Sequence, residues 1–139
     1  MNVNERKTKI ETFEDLRIWQ EAVLICKEVY ENLKECRDYG FRDQIQRAAV
    51  SIPSNIAEGF ERQTNKEFIQ FLYIAKGSCG ELRSHLYLAN EFKYITNEHF
   101  TSLFPKIKQL SSMIYNFIKT RYPLPPSPFR LPQSYEQSE

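Results

Sequence analysis

Two pairs of glutamates have a spacing that could support metal-dependent chemistry. Glu28 with Glu31, and Glu58 with Glu61, each form a Glu-x-x-Glu pair. Carboxylates one helical turn apart can share a hard cation such as Mg²⁺, and all-α nucleotide pyrophosphohydrolases hold magnesium in this way. If the four carboxylates converge on one cavity, the chain is a magnesium-dependent nucleotide hydrolase. If they lie on outer helix faces, they are solvated surface charges.

The other residue types that carry catalysis do not form a recognisable set. His85 and His99 are the only histidines, and neither completes the Glu-x-x-His spacing of di-iron bundles. His85 is spaced to pair with Glu81 on a helix surface. Three cysteines without metal-ligand spacing indicate reduced thiols: Cys26, Cys36 and Cys79. No nucleophile elbow, Walker or dinucleotide motif is present. We therefore expect no cofactor, no metal and no catalytic residue.

An unusual polar stripe lies around Pro53, in the segment from Ser51 to Gly59. On a helix, its members fall beside the apolar arc: Arg47, Ser51, Ser54, Asn55 and Glu58. Two interpretations are open. Ser51 and Asn55 could satisfy backbone groups that Pro53 leaves unpaired, or the stripe could be a polar seam between protomers or a partner site.

Charge is balanced overall but unevenly distributed. The formal net charge is +1, so no global field indicates nucleic acid, membrane or acidic substrate. Acids outnumber bases seven to three from Glu11 to Glu35, whereas residues 99–134 carry five bases and no acid. The bases of the last predicted helix are the candidate phosphate contacts: Lys106, Lys108, Lys119 and Arg121.

Four helices are predicted from apolar residues that recur every three or four positions. They cover about 13–36, 41–60, 64–89 and 96–121. Gly40 is expected to end the first in a left-handed conformation, Pro53 to kink the second, and Pro105 to disturb the first turns of the fourth. Thr64 with Glu67, and Thr96, are expected to cap the third and fourth. The first helix is expected to face the core with Leu16, Trp19, Val23, Cys26, Tyr30 and Leu33.

The second and third helices carry more apolar surface than one neighbouring layer needs. On the second helix, Val50, Pro53, Ala57 and Phe60 adjoin the main stripe. On the third, the additional stripe consists of Ile69, Tyr73, Gly80 and Tyr87. Joined by short connections, the helices form an antiparallel up-and-down four-helix bundle by default. Self-association would cover the surplus.

The bundle is expected to span residues 12–122, between a disordered segment 1–11 and a proline-rich disordered tail 123–139. The tail contains P-x-x-P twice, a pattern that can dock on aromatic grooves. No apolar run approaches 18 residues, so no membrane partner is expected. With reduced thiols, this predicts a cytoplasmic protein.

Three segments resemble one bacterial family. They are FEDLRIWQEA from Phe13, RAAVSIPSNIAEG from Arg47 and FIQFLYIAKGSCGEL from Phe68. The chain is similar over about 13–117 to four-helix-bundle proteins encoded in intervening sequences of 23S ribosomal RNA genes, which carry a ribosomal-protein label. The resemblance implies a ring-like homopentamer. A related fold is found in the accessory protein of diversity-generating retroelements, which binds a reverse transcriptase and nucleic acid through basic surface.

The sequence therefore predicts a non-enzymatic, homo-oligomeric binding or scaffold protein, pentameric by resemblance and associated with ribosomal RNA or a nucleoprotein. Two alternatives stay open. One is the magnesium-dependent pyrophosphohydrolase. The other is a pure protein-interaction module without RNA affinity.

Overall fold

The computed structural model describes residues 9–122, and all regular structure in this range is helical. A 3-10 turn at Phe13–Asp15 precedes four α-helices: α1 (Arg17–Asn32), α2 (Tyr39–Phe60), α3 (Asn65–Glu91) and α4 (Asn97–Arg121). The prediction of an all-α chain with four long helices is confirmed. Most of the predicted N-terminal segment and the whole proline-rich tail lie outside the described residues. Within those residues, no helix has the length and apolar character needed to cross a bilayer.

Side-chain caps begin three of the helices. In each, the side-chain oxygen of the cap accepts a hydrogen bond from the backbone N–H three residues later, which satisfies a donor that has no partner inside the helix. The pairs are Asp38 with Phe41, Thr64 with Glu67, and Thr96 with His99. The predicted caps at Thr64 and Thr96 are confirmed.

The predicted end of the first helix is wrong. α1 ends at Asn32, and Gly40 lies in the first turn of α2 because Asp38 caps that helix. No glycine among residues 9–122 has a positive φ. The one positive φ in this range belongs to Lys93, at 63°, in the connection between α3 and α4.

The helices form a closed square in the order of the chain. Each helix packs against the next, α1 also packs against α4, and the backbones of the diagonal pairs do not approach closely. The predicted core stripes of α2 and α3 are buried: Ile45, Ala48, Ala49, Ile52, Ile56, Phe68, Leu72, Ala75, Cys79, Leu82, Leu86 and Ala89. On α4 the core is Leu103, Ile107, Leu110, Ile114 and Ile118, with Phe100 and Phe117 half-buried.

The predicted core face of α1 is wrong in its middle turns. Leu16 and Leu33 are buried as expected, but the other buried residues are Ile18, Ala22, Ile25 and Val29. Trp19, Val23 and Cys26 are half-buried, and Tyr30 is 45% exposed. Two apolar stripes run side by side on α1, and the contact with both α2 and α4 turns the smaller residues inward.

Both internal prolines lie within continuous helices. Pro53 has no N–H for the carbonyl of Ala49, four residues earlier. The Cys26 thiol of α1 donates to that carbonyl, at 3.1 Å. Of the two open interpretations of Ser51 and Asn55, the one in which they satisfy backbone groups does not apply to the Ala49 carbonyl, since a neighbouring helix supplies its donor. Asn55 instead donates to the backbone carbonyl of Ser51.

Candidate functional site

Three of the four paired glutamates form ion pairs with lysine or arginine side chains on helix surfaces. Glu28 bonds Lys106 at 2.8 Å, Glu31 bonds Lys34 at 2.8 Å, and Glu58 bonds Arg62 at 3.1 Å. Within residues 9–122, no group of three or more His, Cys, Asp or Glu side chains could hold a metal ion. The four-carboxylate cavity that the hydrolase interpretation requires is therefore not formed in this part of the chain.

Burial also determines the protonation state of two thiols. Desolvation raises the pKa of Cys26 to about 11 and that of Cys79 to about 12. Both thiols are protonated at neutral pH, and a thiol is a far weaker nucleophile than a thiolate. His85 joins α3 to α2, with Nδ1 3.0 Å from the Glu81 carbonyl oxygen and Nε2 3.4 Å from Gln44 Oε1. The predicted contact between His85 and Glu81 is present, but it involves the backbone carbonyl of Glu81.

Part of the polar stripe of α2 is a seam between α2 and α3 of the same chain. The hydroxyls of Ser51 and Ser78 lie 2.8 Å apart. Asn55 Nδ2 donates to the carbonyl and hydroxyl oxygens of Ser51, at 2.8 and 2.9 Å. Arg47 and Ser54, by contrast, are not buried and take no part in these bonds. The stripe thus divides into an internal seam and an outward-facing part.

Gly59 permits the closest approach of α2 to α3. A Cβ at this position would lie 2.6 Å from Phe71 Cβ and 3.0 Å from Phe68 Cδ1. Because neither neighbour leaves room for even a methyl group, Gly59 is required by packing. Its part in the S-I-P-S-N-I-A-E-G segment is structural.

α4 covers much of the second apolar stripe of α3. Ile69 is buried, and the hydroxyl of Tyr73 lies 3.4 Å from that of Tyr122. The Tyr87 ring contacts two phenylalanine rings of α4, with centroid distances of 5.2 Å to Phe100 and 5.0 Å to Phe104. The stripe is therefore covered only in part inside one chain, since Tyr87 remains 54% exposed and a Cβ added at Gly80 would meet nothing within 4 Å.

Large apolar side chains remain exposed on α3, namely Ile74, Tyr87 and Leu88. Others are exposed on α1 and α2, namely Leu24, Tyr30, Tyr39 and Val50. A shallow groove of about 420 Å³ runs across these helices and is lined by Tyr30, Asp43, Gln46, Arg47, Val50 and Ser51. We call these six residues the α1–α2 face. Tyr30 is 45% exposed and Val50 is 40% exposed. Tyr30 belongs to the stripe that the sequence assigned to the core.

The four predicted phosphate contacts do not form one patch. Lys106 is paired with Glu28, and the Arg121 guanidinium lies over the rings of Phe68 and Phe117, 5.4 and 5.7 Å from their centroids. Lys108 is exposed. Positions 106 and 108 differ by about 200° around a helix, so they face opposite sides. Lys119 lies on the same side of α4 as Lys108, since eleven residues differ by about 20° around a helix, but it is three turns further along, over the ring of Tyr115.

Lys119 takes part in a cationic cluster that the sequence did not reveal. Its ammonium lies 5.0 Å from the Tyr115 ring centroid, and the Lys76 ammonium lies 5.6 Å from the same centroid. An adjoining groove of about 350 Å³ is lined by Lys76, Ser111, Ser112, Tyr115 and Asn116. We call these five residues the α3–α4 pocket. Tyr115 and Lys119 have i, i+4 spacing, but only the tertiary structure brings Lys76 to them.

Comparisons with known proteins agree with this architecture. A model of the 23S rRNA-intervening sequence protein family matches residues 14–116. Among solved structures, the chain is similar to a protein of unknown function from the S23 ribosomal protein family of Bacteroides thetaiotaomicron VPI-5482. The two are 25% identical with a TM-score of 0.69, and the match covers 73% of this chain and 98% of that one. Among curated proteins, none matches the chain significantly.

Proposed function

The chain belongs to the 23S rRNA-intervening sequence protein family, and we propose that it is a non-enzymatic binding protein that assembles with copies of itself and associates with ribosomal RNA. The observation that carries the proposal is the partly apolar α1–α2 face. Tyr30 and Val50 line one groove there and keep 45% and 40% of their surface exposed. Tyrosine and arginine are enriched at the centre of protein interfaces, and the face carries one of each.

A second copy of the chain is the proposed occupant of this face. A closed ring of five subunits requires two different patches that meet head to tail. The α1–α2 face is proposed as one of them, and it carries both a carboxylate, Asp43, and a guanidinium, Arg47. Complementary charges across an interface fix orientation and register. The family name on the matching model supports ribosomal RNA as the external partner.

The proposal includes an antiparallel course of the helices and a cytoplasmic location. The antiparallel course is supported by contacts between opposite helix ends. Arg121, at the end of α4, donates to Asn65 at the start of α3, at 3.1 Å, and Tyr87 near the end of α3 contacts Phe100 near the start of α4. Three cysteines that form no disulfide fit a reducing compartment.

Light scattering coupled to size exclusion tests the assembly. We expect the full chain, of 16.5 kDa, to elute as a closed oligomer close to five times that mass. Val50→Lys should lower the mass, because it buries a charge in the proposed interface. Leu88→Lys is the matched control, since Leu88 is 42% exposed on α3 and does not line the groove. A wild-type chain that stays monomeric at high concentration would refute the assembly.

Sequencing of RNA that co-purifies with the full chain tests the second part. We expect fragments of ribosomal RNA to be enriched over a mock purification. If the oligomer forms but carries no enriched RNA, the protein is a pure protein-interaction module and the RNA part of the proposal is wrong.

A further inference from the structure

We infer that the α3–α4 pocket binds a phosphoryl group, held between the ammonium groups of Lys76 and Lys119. The inference rests on the proposed function in one respect: the phosphodiester backbone of RNA is the expected source of that group. The pocket residues differ from the four cations predicted from the sequence, of which only Lys119 takes part. The rest of the site comes from both helices that form this edge of the bundle.

The two lysines are cations without a carboxylate partner among residues 9–122. The ion pairs within that range use Lys34, Arg62 and Lys106. Among the residues that the structure describes, the lining of the pocket includes no acidic side chain. Tyr115 attracts both ammonium groups through its ring, so the two like charges are at most about 11 Å apart. An anion between them would relieve their repulsion and gain charge-assisted hydrogen bonds.

The neutral residues of the pocket match the chemistry of a phosphoryl group. Ser111 and Ser112 supply hydroxyl donors, and Asn116 supplies an amide donor. A phosphoryl group has several oxygens that point in different directions and accept from such a mixed set of donors. Lysine ammonium groups bind phosphate as point charges, which suits an open groove with no arginine fork.

The pocket lies on the edge of the bundle opposite the α1–α2 face. In a square of helices ordered α1 to α4, the α1–α2 and α3–α4 edges are opposite. A subunit that uses its α1–α2 face for a neighbour therefore keeps the α3–α4 pocket away from that contact. An oligomer would repeat the pocket on each subunit, and a single RNA strand could engage several copies with raised effective concentration.

Fluorescence anisotropy on the full chain tests the inference, with a labelled oligouridylate of about 20 nucleotides, long enough to engage more than one subunit, as the probe. The pocket variant is Lys76→Gln with Lys119→Gln. Its control is Lys34→Gln with Lys106→Gln, which removes the same charge from two lysines that already have glutamate partners. We expect the pocket variant to bind at least about tenfold more weakly. The slope of log affinity against log salt should fall by about 0.7 for each engaged subunit, because each pocket holds one phosphate of a single strand.

A second arm separates RNA from a free phosphorylated ligand. Uridine monophosphate and inorganic phosphate are titrated against the wild type and both variants, with binding followed by phosphorus NMR. If either small probe binds the wild type and the control variant but not the pocket variant, the pocket is supported. If, in addition, oligouridylate fails to bind the wild type, the RNA part of the proposed function is overturned. RNA binding that is equal in all three proteins overturns the pocket and leaves the proposed function standing. Absence of binding by all three probes overturns both. Light scattering on each variant establishes that the oligomer is unchanged.

Discussion

Replacing Gly59 by alanine provides a quantitative test of the packing between α2 and α3. The added Cβ would lie 2.6 Å from Phe71 Cβ and 3.0 Å from Phe68 Cδ1, with the Phe68 carbonyl oxygen at 3.3 Å. Phe71 Cβ is fixed to its backbone and cannot rotate away, so the helices must separate. Overpacking of this kind costs about 1–3 kcal/mol.

The opposing effect is the better helix propensity of alanine. Alanine is favoured over glycine by about 1 kcal/mol in a helix interior. Gly77→Ala is the matched control, because Gly77 is also inside a helix but a Cβ added there would meet nothing within 4 Å. Since the propensity gain is common to both variants, their difference in unfolding free energy isolates the steric cost. We expect Gly59→Ala to be less stable than Gly77→Ala by about 1–3 kcal/mol.

Urea unfolding followed by far-ultraviolet circular dichroism measures this difference. Both variants are compared with the wild type at several equal protein concentrations, because self-association would make stability depend on concentration. Gly77→Ala should be at least as stable as the wild type. Equal midpoints for the two variants would contradict the reasoning and show that α2 and α3 can separate without cost at Gly59.

Two further predictions concern single hydrogen bonds. Cys26→Ala should lower the free energy of unfolding by about 1–3 kcal/mol, because it leaves the buried Ala49 carbonyl unpaired. In a Pro53→Ala background, the restored backbone N–H should reduce this loss of stability. If urea unfolding shows the same loss in both backgrounds, the explanation is contradicted. Asp38→Asn should lower stability at neutral pH, because the Tyr94 hydroxyl, at 2.6 Å, and a backbone N–H hold the pKa of the folded Asp38 below its ordinary 3.8. A carboxylate whose pKa is lower in the folded state stabilises the fold above its unfolded pKa, and this stabilisation is lost as the pH falls through the folded pKa. The difference in urea midpoint between the wild type and Asp38→Asn should therefore vanish in that acidic range. A difference that does not change with pH would argue against the charge as its cause.

The sequence determined the helices where local chemistry and periodicity agreed. Thr64 and Thr96 each have a hydroxyl that can cap only the helix that follows, and both do so. On α3, the stripe from Phe68 to Ala89 keeps alternating steps of four and three throughout, whereas the second stripe from Ile69 to Tyr87 is interrupted by steps of seven. The uninterrupted stripe is the buried one. Gly40 was misread because glycine permits a left-handed turn without requiring one, and Asp38 decides where α2 begins.

The face of α1 could not be chosen from its own residues. Ile18, Ala22, Ile25 and Val29 compete with a second stripe that contains Trp19, Val23, Cys26 and Tyr30. The second stripe has the larger side chains, so by size alone it is the stronger candidate for the core face. Contacts with both α2 and α4 decide the outcome, and such contacts join residues far apart in the chain. The pocket lysine Lys76 was missed for the same reason, because its partner Tyr115 is on another helix.

The half-buried stripe of α1 also connects folding with the proposed assembly. Cys26 uses its thiol inside the chain, on the Ala49 carbonyl, while Tyr30 and Val50 on the same two helices remain partly exposed. A monomer gains nothing by exposing a tyrosine and a valine in one groove, whereas a subunit interface gains from burying both. Because that groove and the α3–α4 pocket lie on opposite edges of the bundle, assembly and anion binding need not compete. Val50→Lys should therefore reduce the affinity for a long RNA through lost multivalency, while the affinity of one pocket for inorganic phosphate stays unchanged.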